Sequence, residues 1–199
     1  MLAEVSDPSV CHASCPTPQH LYVRTSLTTP ANNVIETGWM ESNIDPTGNS
    51  QKVVTVTWRA GLGEGQVPML HDAWTLVPGN QYAFRQDHCG FPGELLVCME
   101  IWNGESWTVL RTWDEMRCLN SNGTFNCEVD FFVEAHAADD TTWFNLNGGA
   151  DGLRTQNIEI KRDWWDLFTT GSWLEEAPYS ICRVFDYYHF TAFRGPPSC

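Results

Sequence analysis

Apolar and polar residues alternate in short runs along most of the chain. Residues 53–58, Val-Val-Thr-Val-Thr-Trp, show this clearly, and every second side chain of a strand points to the same side of its sheet. Gly, Pro, Asn and Asp separate the runs at intervals of roughly 8 to 15 residues, and no helical stripe interrupts them. The same alternation predicts strands at 82–87, 94–102, 107–113, 125–135, 143–146 and 154–160. Asn103-Gly104 predicts a two-residue hairpin turn between the second and third of these strands. Short strands with turns between them predict an all-β, antiparallel β-sandwich.

The two ends of the chain differ from this middle part. Residues 1–32 contain several prolines, two cysteines and a Ser/Thr-rich stretch, which predicts an extended N-terminal arm tied down by disulfides. Residues 33–162 form the predicted sandwich. Residues 163–199 are rich in Trp, Tyr and Phe, which predicts a C-terminal extension packed on the sandwich or on a neighbouring molecule. Within this extension we expect a short helix to begin at 163–168 and one or two strands at 181–193.

Charge limits the partners that the chain can have. The sequence holds 25 acidic and 11 basic residues, a formal net charge of −14. Nucleic acids and anionic membranes require a basic surface, so neither is an expected partner. No apolar run approaches the roughly 18 to 20 residues of a membrane helix, which predicts no membrane span. The start, residues 1–10, has no apolar signal core, which we interpret as a secretion signal already removed or never included.

Eight cysteines predict a disulfide framework and an oxidising, extracellular location. Eight cysteines allow 105 pairings, and spacing only suggests two bridges, because Cys89 and Cys98 bracket one turn-rich segment and Cys118 and Cys127 bracket another. The sequon at Asn122 lies in the second segment and predicts a glycoprotein. The cysteines stand at Cys11, Cys15, Cys89, Cys98, Cys118, Cys127, Cys182 and Cys199.

Strand alternation also predicts a face suited to a sugar. In three of the predicted strands the core-facing positions are apolar, and the opposite positions carry aromatic and charged side chains. A sugar ring packs its C–H face on an aromatic ring, while its hydroxyls need paired donors and acceptors. We expect one sheet to present these candidate ligand-binding residues together: Arg85, Glu100, Trp102, Asp130 and Phe132.

Three segments resemble a known family. They are Asn-Val-Ile-Glu-Thr-Gly-Trp-Met-Glu at 33–41, Trp-Thr-Leu-Val-Pro-Gly-Asn-Gln-Tyr-Ala-Phe at 74–84, and the closing stretch at 140–160. Their order and spacing are similar to those of carbohydrate-binding modules with the galactose-binding-domain-like jelly roll. The resemblance implies a jelly-roll topology, carbohydrate binding and a structural calcium ion. It implies Glu41 as one calcium ligand, with Gln156 or Asn157 at the position of the family's second acid.

Three functions stay open on the sequence. The first is a secreted, non-catalytic, lectin-like module that binds a glycan, more readily a neutral one, because the negative chain repels polyanionic sugars. The second is an extracellular structural protein that self-assembles into a filament, coat or matrix through its terminal arms.

The third function is a polysaccharide lyase or hydrolase. A hydrolase needs two carboxylates about 5 to 10 Å apart, for which Glu100 and Asp130 are candidates. A lyase could use Tyr187 or Tyr188 with His189. No hydrolase nucleophile elbow, zinc-protease helix motif or phosphate-binding loop is present.

Acidic residues in predicted turns are further candidate calcium ligands. They are Asp139, Asp140 and Asp151.

Overall fold

The fold is seen in a computed structural model, which describes part of the chain in detail. The described residues are 1–5, 19–42, 51–59, 67–71, 73–89, 96–114, 118, 126–137, 153–156, 159–161, 165–167, 179–185 and 189–194. Every regular element among them is a β-strand. None of these segments is a helix long and apolar enough to cross a membrane.

Fourteen strands make up the described elements. They are β1 (Leu2–Glu4), β2 (Gln19–Thr28), β3 (Val34–Ser42), β4 (Lys52–Trp58), β5 (Val67–His71), β6 (Gln81–His88), β7 (Val97–Trp102), β8 (Trp107–Trp113), β9 (Glu128–Ala137), β10 (Leu153–Gln156), β11 (Glu159–Lys161), β12 (Trp165–Leu167), β13 (Tyr179–Phe185) and β14 (His189–Arg194). The predicted strands at 53–58, 82–87, 94–102, 107–113 and 125–135 are confirmed, with small differences at their ends.

Two antiparallel sheets pack face to face, which confirms the predicted sandwich. The seven-stranded sheet has the order β13-β14-β10-β1-β6-β7-β8, and the five-stranded sheet has the order β5-β4-β3-β2-β9. Strands β11 and β12 form a separate pair. The predicted strand at 154–160 is therefore two strands that belong to different sheets.

The core lies between the two sheets and is filled by alternate side chains of their inner faces. Trp39 is its largest fully buried side chain among the described residues. The indole N–H of Trp39 donates to the backbone carbonyl of Glu4 at 3.1 Å, which ties the five-stranded sheet to the seven-stranded one. The main cluster contains Ala3, Val5, Leu21, Val23, Trp39, Val53, Leu76, Phe84, Ile101 and Ala192.

A second, smaller core cluster is separated from the first along the sandwich. It consists of Ile35, Val97 and Met99. Between the clusters the side-chain amide of Gln86 donates to two backbone carbonyls of the opposite sheet, those of Thr25 at 2.9 Å and Ile35 at 3.1 Å. The inner faces are thus joined by polar contacts as well as by apolar packing.

Both disulfides suggested by spacing are confirmed. Cys89 bonds to Cys98 and closes the β6–β7 hairpin, and Cys118 bonds to Cys127 just before β9. Each disulfide joins cysteines nine positions apart and so restricts the unfolded chain. The lower conformational entropy of the unfolded chain stabilises the fold by about 2 to 4 kcal/mol per bridge.

The expected N-terminal arm is wrong for the described part of residues 1–32. Strand β1 lies inside the seven-stranded sheet between β6 and β10, and β2 lies inside the five-stranded sheet between β3 and β9. Leu21, Val23 and Leu27 alternate with polar residues in β2. The threonines in this strand are β-branched and favour a strand as valine does, so a Ser/Thr-rich composition was a poor sign of an arm.

The C-terminal part also differs from expectation. Strands β13 and β14 confirm the strands expected at 181–193, but they extend the seven-stranded sheet edge to edge instead of packing across the sandwich. The short helix expected at 163–168 is wrong, because β12 pairs there with β11. Trp165 and Leu167 alternate around Asp166, a spacing that suits a strand.

A row of threonines crosses the inner face of the five-stranded sheet. Thr25 lies opposite Thr37, and Thr37 lies opposite Thr55. All three are buried. The hydroxyl of Thr55 is 3.0 Å from Nε2 of His71, whereas the buried hydroxyl of Thr37 has no hydrogen-bond partner among the described residues. An unpaired buried hydroxyl is unfavourable, so Thr37 reduces the stability of the sandwich.

We expect Thr37→Val to stabilise the protein and Thr55→Val to destabilise it. Valine matches threonine in shape, so the first change removes only an unpaired hydroxyl and should raise the free energy of unfolding by about 1 kcal/mol. The second change removes one hydrogen-bond partner of His71 and should lower the free energy of unfolding by about 1 kcal/mol. Denaturant unfolding of both variants measures the two changes. A loss of stability in Thr37→Val would mean that a buried water or other group bonds this hydroxyl.

Candidate functional site

The hairpin between β7 and β8 shapes an exposed surface on the outer face of the seven-stranded sheet. The side-chain oxygen of Asn103 accepts hydrogen bonds from the backbone N–H groups of Glu105, at 2.9 Å, and Ser106, at 2.8 Å. Gly104 has φ +100°, a conformation that glycine adopts without strain. The hairpin predicted at Asn103-Gly104 is therefore confirmed, but its connection spans the four residues 103–106 and not two, because Trp102 pairs with Trp107. The side chain of Asn103 holds this turn closed.

The turn sets two tryptophans opposite each other. Trp102 pairs with Trp107 across the hairpin, and their rings meet edge to face with centroids 5.5 Å apart and planes at 63°. Trp102 is 38% exposed, and it is the one exposed Trp, Tyr or Phe among side chains whose exposure the structure describes. Trp107 is half-buried. The hairpin thus presents one aromatic ring to solvent and supports it with a second.

Arg85 and Glu100 form the polar side of this surface. They lie opposite each other on β6 and β7, and Nε of Arg85 donates to Oε2 of Glu100 at 2.6 Å. The guanidinium carbon of Arg85 is 4.1 Å from the ring centroid of Trp107, a cation–π contact. We call Arg85, Glu100, Trp102 and Trp107 the Trp102 platform.

The guanidinium of Arg85 has hydrogen-bonding capacity left. Oδ2 of Asp87 is 3.9 Å from Nη1, beyond hydrogen-bond distance. Among the described residues, no acceptor bonds to Nη1 or Nη2 of Arg85. The Arg85 side chain is 23% exposed, so its terminal nitrogens can donate to an external ligand. The Trp102 platform therefore combines an exposed aromatic ring with neighbouring donors, the two features that a sugar requires.

The expectation that all five candidate ligand-binding residues share one sheet face is wrong. Arg85, Glu100 and Trp102 come together on the outer face of the seven-stranded sheet, but Asp130 and Phe132 lie in β9 of the five-stranded sheet. Their register partners in β2 are Ser26 and Arg24, which place them on that sheet's outer face. Alternation assigns a side chain to one face of its strand, but it does not say which sheet the strand joins.

The position of β9 in the five-stranded sheet also separates the two candidate catalytic carboxylates. Glu100 and Asp130 lie on the outer faces of different sheets and point away from each other. Packed sheets are about 10 Å apart, so these carboxylates cannot flank one glycosidic bond. The sequence-based pairing of Glu100 with Asp130 as hydrolase residues is therefore wrong.

A buried arginine organises the outer face of the five-stranded sheet. Nη1 of Arg24 bonds to Oε2 of Glu36 on β3, and Nη2 bonds to Oε2 of Glu134 on β9. The guanidinium carbon lies 4.3 Å from the ring centroid of Tyr22 and 4.8 Å from that of Phe132. The Arg24 side chain is only 5% exposed. Phe132, a predicted ligand-binding residue, is here a stacking partner of an internal cation.

Two carboxyl groups on this outer face, those of Glu36 and Asp130, have pKa values above their ordinary ones. Burial raises the pKa of Glu36, Arg24 opposes this effect, and the nearby charges of Glu134 and Asp130 add to it. The pKa of Asp130 is raised by desolvation and by the neighbouring Glu128. Sequence reasoning does not predict this cluster, because Arg24 lies in the segment whose composition predicts an arm.

The calcium predictions receive no support from the geometry. Glu41 is buried, and its Oε2 accepts a hydrogen bond from Nε2 of Gln51 at 2.6 Å. Among the described residues, no group of three or more His, Cys, Asp or Glu side chains could hold a metal ion. Calcium binding at Glu41 therefore stays a prediction.

Several candidate residues lie outside the described part of the chain. Gln156, Cys182 and His189 lie in strands, but the structure does not describe their side chains. The remaining residues outside the description are Cys11, Cys15, Asn122, Asp139, Asp140, Asp151, Asn157, Tyr187, Tyr188 and Cys199.

Comparison with known proteins returns no match to a family model, to a curated protein or to a solved structure. The resemblance to galactose-binding-domain-like modules therefore stays a prediction, and the function rests on the geometry of this chain.

The Glu36 carboxyl should make stability depend on pH. Its pKa in the folded protein is above the ordinary value of 4.5, so the folded state binds this proton more tightly than the unfolded state. This contribution to stability is present below pH 4.5 and is lost as the pH rises through the folded pKa. We expect Glu36→Gln to remove it, which thermal melts of the wild type and the variant between pH 4.5 and 8 would measure.

The control for this experiment is Glu105→Gln, which neutralises an exposed carboxylate in the β7–β8 turn. The control should keep the wild-type pH dependence. If Glu36→Gln also keeps it unchanged, the raised pKa of Glu36 is contradicted.

Proposed function

We propose that this protein is a secreted, non-catalytic carbohydrate-binding β-sandwich whose binding surface is the Trp102 platform. The observation that carries the proposal is the exposed ring of Trp102 beside an arginine with uncommitted donors. An aromatic ring packs on the C–H face of a sugar, and a guanidinium donates hydrogen bonds to its hydroxyls. Together they supply the apolar and the polar contacts of glycan recognition. The hairpin turn and the Trp107 contact hold Trp102 in place, so little ordering is needed when a ligand binds.

The charge of the platform favours a neutral glycan. The Arg85 cation is already paired with the Glu100 carboxylate at 2.6 Å. The whole chain carries a formal net charge of −14, which repels anionic polysaccharides over distances of about a Debye length. A neutral sugar avoids this repulsion and still uses the free Arg85 donors.

The disulfides support secretion. Cys89–Cys98 and Cys118–Cys127 are both bonded, and structural disulfides persist in oxidising compartments such as the extracellular space. The first bridge closes the hairpin of β6 and β7, the strands that carry Arg85 and Glu100, and so holds the polar side of the platform.

The two alternative functions lack a specific supporting observation. Self-assembly through terminal arms loses its premise, because the described strands near both ends are built into the seven-stranded sheet. Hydrolysis loses its carboxylate pair, since Glu100 and Asp130 face opposite sides of the sandwich. Binding at the Trp102 platform is the function that the geometry supports best.

We expect Trp102→Ala to weaken glycan binding by about tenfold to a hundredfold, because loss of one stacking ring costs about 1.5 to 3 kcal/mol. Its melting temperature should fall by no more than about two degrees, since an exposed side chain adds little to stability. Retention on a neutral glycan array followed by titration calorimetry measures the first change, and a thermal melt measures the second.

The matched control is Val77→Ala, which truncates an apolar side chain of comparable exposure on the separate turn before β6. This variant should bind as the wild type does. Equal glycan retention by Trp102→Ala and the wild type would contradict the assignment of the platform. Silence of the wild type across the array would contradict carbohydrate binding itself.

A further inference from the structure

We infer that the Trp102 platform accepts a single pyranose ring, so that this surface recognises one sugar residue and not a run of consecutive residues along a glycan chain. This inference rests on the proposed function and specifies the size of the ligand segment that is bound.

The second tryptophan of the hairpin is not available for stacking. One face of Trp107 is covered by the Arg85 guanidinium, whose carbon lies 4.1 Å from the ring centroid. The edge-to-face contact with Trp102 covers a further part of the Trp107 ring. Trp107 is half-buried as a result. It therefore supports Trp102 and Arg85 but offers no second flat surface to a ligand.

The described residues around the platform provide no other exposed ring. The exposed apolar residue nearest to it in the strand register is Val109, which is 48% exposed and lies opposite Glu100. Valine has no flat face on which a pyranose could stack. Every other Trp, Tyr and Phe whose exposure the structure describes is buried or half-buried.

The free hydrogen-bond donors of the platform, like its exposed ring, belong to a single side chain. Nη1 and Nη2 of Arg85 belong to one planar group, so they can bond to two neighbouring hydroxyls of the same ring. Glu100, which accepts a hydrogen bond from Nε of the same guanidinium, is nearly buried, with 8% of its side chain exposed. The exposed ring of Trp102 and the Arg85 donors are therefore sufficient for one sugar, and the described residues hold no second exposed ring on which another sugar could stack.

Affinity measured against chain length tests this inference. The probes are cello-, manno-, malto- and β-1,4-galacto-oligosaccharides of one to six residues, titrated by calorimetry into the full chain. In any series that binds, we expect Kd to change by less than about threefold between two and six residues, beyond the statistical gain from repeated sites. Trp102→Ala should weaken every member of that series by the same factor.

The outcomes separate the two proposals. A series whose affinity rises more than about tenfold from two to six residues, and loses that rise in Trp102→Ala, would overturn the single-ring inference and leave carbohydrate binding intact. Binding that Trp102→Ala does not change would place the glycan elsewhere and overturn both proposals for this surface. If no series binds and the broader array is also silent, carbohydrate binding fails.

Discussion

The hydrogen bond from Trp39 to the carbonyl of Glu4 joins the two sheets at the centre of the sandwich. A tryptophan buried in the core needs a partner for its N–H, and here the partner is the backbone of β1 in the opposite sheet. This contact requires β1 to lie inside the seven-stranded sheet, directly beside β6. Strand β6 pairs with β1 on one side and with β7 on the other, and the second pairing places Arg85 opposite Glu100. The sheet that carries the Trp102 platform on its outer face is thus joined to the opposite sheet by this contact on its inner face.

Local sequence signals predicted much of the β-structure and the hairpin that carries the site. Asn103-Gly104 specified its turn, because the short side chain of Asn103 bonds to the backbone and Gly104 adopts a positive φ. The two described disulfides followed from the turn-rich segments that they enclose. Each of these features is settled by residues fewer than about a dozen positions apart, which is where single-sequence reasoning is strongest.

Long-range pairing was not predictable in the same way. The alternation in β9 showed that Asp130 and Phe132 share a face, but not that β9 pairs with β2 instead of joining β6 and β7. Strand β2 itself was missed, since its polar residues suggested an arm. Arg24 shows why: its charge is neutralised by Glu36 and Glu134 from the two neighbouring strands. A charged residue in a buried position becomes acceptable only through partners that are distant in sequence.

The outer faces of the two sheets carry similar side chains that have different roles. Arg24 and Arg85 each stack on an aromatic ring and bond to a glutamate. Arg24 is 5% exposed and its two terminal nitrogens are both bonded to carboxylates, so it joins three strands and has little left to offer a ligand. Arg85 is 23% exposed and bonds to its glutamate through Nε, which leaves its terminal nitrogens without a hydrogen-bond acceptor among the described residues. Residue type alone therefore did not distinguish a structural cluster from a binding surface. The distinction depends on which donors are already used and which can reach solvent, and by that measure Arg85 is the arginine suited to recognition.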